Sequence, residues 1–382
     1  MTRLKMGLGF SHHARLFSMD PIAHTLVAAS LAETRLKRLT PLAAVTLILG
    51  ANAPDIDAVA LFLDRDTSLH LRRGWTHGIL AVTLLPLLLT SLMVGLDRAR
   101  RLFFRRHAPP TTVRALLLLS YVSVLSHPAL DWLNTYGIRL LMPFDDRWFY
   151  GDALFIVDPW VWLLAASAIV LAHTRSRASV TLWILAASVS SVLVLTNELT
   201  PTGAKVTWSL GLGCLVGIRV WRGAQVCTSR LALTSLLAIL VYAGGMVLGS
   251  TLARTQVQQW LAHEGLTARK IMAGPVPTNP FARDVVVQGA DRYYFLRVDW
   301  LATDPIRPHD PSIAIGDTNA IVEAALTAPH IQGTRHWLRF PTYEVETTTN
   351  GYRVIISDAR FSRRLRGFGT VHVDLDHQLN VQ

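Results

Sequence analysis

The chain has 382 residues, 51% of them hydrophobic and 16% charged, with a formal net charge of +11 and a mean hydropathy of +0.33. These values argue against a soluble nucleic-acid-binding protein, because the apolar residues fall in runs too long for a soluble fold and the arginines cluster in the short loops between them. With only Cys214 and Cys227 available, a disulfide framework and a cysteine metal site are both excluded.

Residues 1–18 are polar and basic, without the apolar core or small-residue cleavage site of a secretory signal; a start at Met19 would omit this tail. Asp20 to Leu39 reads as a helix with Asp20 as N-cap and Pro21 at its first position. Two placements are open. A short or tilted span would carry His24 to the outer side, whereas an amphipathic helix on the inner surface would leave it far from the other polar motifs.

The first long apolar run, Leu42 to Leu63, contains Ala53-Pro54-Asp55-Ile56-Asp57. Carboxylates at such a depth are costly and are seldom kept without a role. The bland alternative is a polar break between half-helices. Arg72 and Arg73 then precede Gly74-Trp75-Thr76-His77, which opens the run Gly78 to Leu96. The arginines suit the anionic part of a substrate or, equally, lipid headgroups.

The run Val113 to Trp132 ends with His127 and Asp131. Four residues apart on a helix, they share one face at the water boundary, as a metal-binding pair or as a structural hydrogen-bonded pair. Further runs are Pro159 to Ala172, Val180 to Leu199, Val206 to Trp221 and Leu231 to Leu252. Seven spans result, or eight with the Asp20 helix. Asp158-Pro159 reads as N-cap and first helical position of the fourth run.

Alternate loops are basic. Arg98, Arg100, Arg101, Arg105, Arg106 and Arg114 fill one, Arg175 and Arg177 another, Arg219, Arg222 and Arg230 a third. By the positive-inside rule these face the cytoplasm, which puts His77, His127 and Asp131 on the outer side of the membrane. Beyond Leu252 the sequence turns mixed and charged, with alternating strands at Arg292–Trp300, Tyr343–Thr348, Tyr352–Asp358 and Thr370–Leu375, and an Asn350-Gly351 hairpin signal. The expected fold is an all-α polytopic membrane helix bundle of seven to eight spans, residues 19–252. A smaller β-rich (α+β) extracytoplasmic domain follows at 253–382. In that domain His372, Asp374 and Asp376 read as a solvated strand face.

The candidate ligands are His24, Asp55, Asp57, His77, His127 and Asp131, with Asp152 and Asp158 further out. Imidazole with carboxylate and no thiolate suits zinc, and also manganese or non-haem iron. A divalent ion in such a site activates water for hydrolysis. Two other classes compete: a non-catalytic membrane scaffold tied together by metal, and an ion transporter. The transporter reading requires a continuous polar path, yet the spans after Ala172 carry almost no ionisable residue before Glu198.

As an ordered set, Pro21-Ile22-Ala23-His24, Pro54-Asp55-Ile56-Asp57, Arg73-Gly74-Trp75-Thr76-His77, Ser126-His127-Pro128-Ala129-Leu130-Asp131 and Asn134-Thr135-Tyr136-Gly137 with Pro143-Phe144 resemble the YdjM-like family. Its members are described as LexA-binding, inner-membrane-associated metal-dependent hydrolases. The likeness is close over residues 19 to 175 and loose thereafter. More distantly, the order is similar to that of zinc-dependent phospholipase C and P1-type nucleases, although the further histidines of those enzymes are missing. The resemblance implies His24, Asp57 or Asp55, His77, His127 and Asp131 as ligands of one or two ions, most simply zinc. Asp55 or Asp57 would bridge or act as general base, and Arg72 or Arg73 would hold an anion. The implied partners are membrane lipid and a small-molecule or lipid phosphoester, with no nucleic acid.

Overall fold

The computed structural model describes residues 20–103, 109–197, 200–222, 228–361 and 369–382. The tail 1–18, Arg105, Arg106, Glu198 and Cys227 lie outside the described residues.

Helix α1 (Pro21–Glu33) starts as anticipated: Asp20 caps it, accepting from the Ala23 amide at 3.0 Å, and Pro21 occupies the first turn. Its 13 residues make only about 20 Å of helix, against about 30 Å of hydrocarbon. Helix α2 (Ala43–Asn52) cannot continue as an α-helix because Pro54 lacks the amide that would extend the ladder. The chain tightens into a ten-residue 3-10 helix, Ala53–Phe62. Asp64 then caps the short α3 (Arg65–Leu71), accepting from the Thr67 amide at 2.9 Å.

Helices α4 (Ile79–Phe103), α5 (Val113–Trp132), α6 (Pro159–His173), α7 (Arg177–Thr196), α8 (Thr202–Arg222) and α9 (Thr228–His263) follow the remaining apolar runs. Among the described residues, five helical stretches are long and apolar enough to cross a membrane: Ala43–Phe62, Ile79–Phe103, Val113–Trp132, Arg177–Thr196 and Ser229–His263. Helix α6 is apolar but shorter than these. The hydrogen bonds set the helix directions. The Trp162 indole bonds Asp20 at one end of the α1–α6 pair, and His173 meets Glu33 at 2.7 Å at the other, so the two helices run parallel. The Thr112 amide bonds Thr40 at 3.0 Å, and Arg219 bonds Thr174, so the start of α5 and the ends of α6 and α8 lie opposite His24.

Helix α9 continues past Leu252 into the C-terminal region, where its last turns pack on the antiparallel sheet β1 (Lys270–Val276), β2 (Asn279–Gln288), β3 (Arg292–Asp299), β4 (Ile306–Ala314). A second antiparallel sheet, β5 (Pro341–Thr348), β6 (Gly351–Asp358), β7 (Thr370–Asp376), packs on α10 (Ala320–Leu326). Thr348 pairs directly with Gly351, so the tight turn lies one residue before the Asn350-Gly351 pair. Gly351 opens β6 with φ 146°, a backbone that side chains disfavour. His372 is exposed and Asp374 bonds Arg353 at 2.7 Å, as a solvated strand face requires. The short α11 (Gln332–Trp337) is capped by a residue far away in sequence, Asp66, which accepts from the Gly333 and Thr334 amides at 2.9 and 2.7 Å.

Asp158 caps α6, accepting from the Trp160 and Val161 amides and the Tyr242 hydroxyl, and burial pushes its carboxyl up to about 6. An aspartate in the unfolded chain titrates near about 3.9, so the fold binds this proton more tightly than the unfolded chain does. The resulting penalty is absent below about pH 4, grows up to about pH 6 and is constant above. Asp158→Asn keeps a cap acceptor and removes the charge. Its stability advantage over the wild type should therefore grow between those pH values and then level off in thermal unfolding; a pH-independent difference would contradict the assignment.

Candidate metal centre

Three pieces of chain meet where α5 ends. The 3-10 helix brings Asp55 and Asp57, the turn before α4 brings His77, and the last turns of α5 bring His127 and Asp131. On a 3-10 helix residues three apart eclipse, and the burial follows that period: Pro54, Asp57 and Ala60 point inward while Ile56, Val59 and Phe62 point out. Asp55 therefore lies on a different row from Asp57, and the two aspartates do different things.

Asp55, His77, His127 and Asp131 each direct one ligand atom into a common point. The two imidazole Nε2 atoms are 3.1 Å apart; His127 Nε2 is 3.2 Å from Asp55 Oδ1, and His77 Nε2 is 3.2 Å from Asp131 Oδ2. His127 Nε2 to Asp131 Oδ2 is 3.5 Å and His77 Nε2 to Asp55 Oδ1 is 4.0 Å. A tetrahedron with zinc bonds of 2.0–2.1 Å has edges of roughly 3.3 Å, so the set brackets the size of a zinc polyhedron.

Protonation makes the same point. His127 Nδ1 lies 2.6 Å from the Ala51 carbonyl, which can only accept, so Nδ1 carries a proton and Nε2 is the ring nitrogen left to face an ion. The Thr76 hydroxyl donates to Asp57 Oδ2 at 2.8 Å and lies 2.9 Å from His77 Nδ1, with Asp57 Oδ2 itself 3.4 Å from that nitrogen. His77 Nδ1 thus donates to this oxygen pair, which turns its Nε2 towards that of His127. Asp55 Oδ1 and Asp131 Oδ2 are buried without a hydrogen-bond partner. Four electron-rich atoms facing one another at these distances fit a divalent cation.

Asp57, anticipated as a ligand, lies behind His77. It accepts from the Arg73 amide at 2.8 Å and from Thr76, forming the carboxylate–histidine arrangement that orients a metal-binding ring. His24 does reach this end of the bundle, stacked on His127 at 3.8 Å between centroids, with Nε2 3.4 Å from Asp131 Oδ1 and Nδ1 buried without a partner. It stands beside the four-atom cluster. Arg72 is buried with Nε 3.9 Å from Asp57. Arg73, at φ 52°, is also buried; its guanidinium bonds Asp131 Oδ1 at 2.8 Å, Asn134 Oδ1 at 2.9 Å and the Gly137 carbonyl at 3.2 Å. Asp152 is drawn away by Arg339, at 2.7 and 2.9 Å, and by Arg254 at 2.9 Å.

Asn134 and Tyr136 complete the support. Asn134 Oδ1 also accepts from the Tyr136 amide, and Arg73 lies 4.6 Å from the Tyr136 ring. Both residues sit in the Asn134-Thr135-Tyr136-Gly137 motif, but nothing in their types announced that they would hold an arginine.

With this geometry in view, residues 19–199 match the model of the YdjM inner membrane protein family. The YdjM region thus contains every member of the cluster. A curated relative, the uncharacterized protein YfhP of Bacillus subtilis (strain 168), is 24% identical over 184 residues, 47% of this chain and 48% of the relative. The chain therefore spans about half the length of the curated relative it matches. No solved structure matches, so the likeness to phospholipase C and P1-type nucleases finds no structural counterpart.

Asp57→Asn should weaken zinc binding by about 10- to 100-fold without removing a ligand, whereas His127→Ala should abolish stoichiometric binding. Titration of the purified protein against a chelator checks both. Equal affinities for Asp57→Asn and the wild type would place Asp57 outside the support of His77.

Proposed function

We propose that the chain is a metal-dependent hydrolase of the bacterial inner membrane that cleaves an ester or phosphoester of a lipid or envelope metabolite. The observation that carries this reading is the set of four buried ligand atoms at tetrahedral-edge spacing, two of them carboxylate oxygens without a partner. A divalent ion held there supplies Lewis acidity and a water acidic enough to attack at neutral pH. Zinc suits the spacing best, as a single ion.

The chain's own residues divide the remaining work. Asp131 is held by Arg73 on one oxygen and would offer the other to an ion. Asp57 and the Ala51 carbonyl fix the two rings. Asp55, with 14% of its side chain exposed against 0–4% for its three companions, would be the most accessible of the four ligands and would mark the side from which a substrate arrives. The neighbouring outward row, Ile56, Val59 and Phe62, is exposed and apolar, which suits a substrate delivered from the bilayer. On another side a cleft is lined by the carboxylates of Asp20, Asp131 and Asp158 with His24 and Asn134, beside Leu130, Leu154 and Phe155.

A second reading is favoured by one observation. Four protein ligands fill a tetrahedral zinc site, and closed sites are usually structural. On that reading the ion ties the 3-10 helix, the turn before α4 and α5 together as a scaffold.

In either case we place the centre and the C-terminal domain outside the cytoplasm, with α1, α6 and α8 joining the five long stretches as an eight-crossing bundle. Arg175 and Arg219, at the end of the bundle opposite His24, support this orientation.

The discriminating experiment compares wild type, Asp55→Asn and His127→Ala for zinc content and for cleavage of bis(p-nitrophenyl) phosphate and a p-nitrophenyl ester. The hydrolase reading expects zinc-dependent turnover that falls at least about 100-fold in both variants. Bound zinc with no turnover in the wild type, and a lowered unfolding temperature in His127→Ala, would favour the scaffold. For orientation, Leu301→Cys in a chain lacking Cys214 and Cys227 should react with an impermeant thiol reagent in intact spheroplasts. Labelling only after lysis would reverse the topology.

A further inference from the structure

The C-terminal domain lies outside the matched family region, yet one of its faces is built into the support of the metal centre. Leu69 and Tyr136 from the membrane half form a single buried core with Trp337 and Phe361 from the C-terminal half. Trp337 is 1% exposed, its ring 5.1 Å from that of Tyr136 and stacked on Phe361 at 5.5 Å, and its indole N–H donates to the Tyr136 carbonyl at 3.3 Å. The Arg360 side chain is equally buried. It pairs with Asp358 at 2.8 Å, lies 4.8 Å from the Trp337 ring and donates to the Thr135 carbonyl at 2.9 Å. The turn Asn134–Gly137 is thus gripped from outside by two residues of the C-terminal domain and, on its other side, holds Arg73 through Asn134, Tyr136 and the Gly137 carbonyl. Arg73 in turn fixes Asp131.

We propose that Trp337 and Arg360 are positioning residues of the metal centre, and that the C-terminal domain serves as its outer wall. An arginine bonded to a ligand carboxylate sets both its direction and its charge, so loosening the turn that holds Arg73 reaches the metal without touching a ligand. The proposal rests on the metal-centre reading and is independent of whether the centre hydrolyses anything.

The test is zinc affinity, measured by chelator competition on the full purified chain, for the wild type, Trp337→Ala, Trp337→Phe, Arg360→Lys and Val354→Ala. Val354 is a fully buried residue of the second sheet's core, away from this contact, and reports general destabilisation of the same domain. The expected result is at least tenfold weaker binding in Trp337→Ala, most of it recovered in Trp337→Phe, with Val354→Ala within about twofold of the wild type at a matched loss of unfolding temperature. Arg360→Lys, which keeps a cation beside Asp358 but loses the guanidinium fork, should fall between and serves if Trp337→Ala does not fold. Unchanged affinity in the Trp337 and Arg360 variants, or an equal loss in Val354→Ala, would overturn the proposal. A wild type that binds no more zinc than His127→Ala would overturn the metal centre itself and this proposal with it.

Discussion

The ion pair between Arg73 and Asp131 is the interaction on which the centre depends. Two carboxylates and two facing imidazole nitrogens cannot be assembled in a dry interior unless charge is balanced from within the protein or by a bound ion. Arg73 does the first part by occupying one oxygen of Asp131 at 2.8 Å. The other oxygen is left aimed at the histidines. Everything that fixes Arg73, including the Asn134 fork, the ring of Tyr136 and the bond from its own amide to Asp57, therefore also fixes the ligand geometry. Removing the arginine would leave a buried carboxylate with too little compensation, which is a larger change than losing one hydrogen bond.

Much of the centre was legible in the sequence because ionisable residues in apolar runs are so conspicuous. His77, His127 and Asp131 could be assigned to one membrane side by charge counting alone, and the helices place them together. Asp55 and Asp57 could not be told apart, since their division depends on Pro54 tightening the helix to a period of three. Helix α1 was ambiguous for a different reason: at 13 residues it is too short to declare itself a span, and only its bonds to α6 reveal its direction. Arg72 and Arg73 looked like anion binders from composition. Their burial against carboxylates and carbonyls is a tertiary fact that no local pattern encodes. The hold of Trp337 and Arg360 on Thr135 and Tyr136 joins residues some two hundred positions apart in the chain.

The C-terminal half illustrates how a long helix couples two environments. Helix α9 has 36 residues, roughly 54 Å at 1.5 Å per residue. Its first part packs with α1 and α6, and its last part forms the core beneath the first sheet. Arg283 clamps the transition, buried and donating to Ser250 and to the Met246, Pro280 and Ala282 carbonyls without an acidic partner in those bonds. Burial lowers its guanidinium to about 10. The sheet domain is consequently fixed in place against the bundle, which is what allows its far side to reach the metal-centre turn.

The 3-10 segment has a consequence for how this region can change. A period of three keeps its three rows straight, so the ligand row of Asp55, the supporting row of Asp57 and the outward row of Ile56 never mix along the segment. Inserting or deleting one residue upstream would turn every side chain by about a third of a circle. A carboxylate would then be presented to lipid and an isoleucine to the histidines. Length variation here is tolerable only in steps of three, so the segment works as a fixed gauge between the end of α2 and the centre.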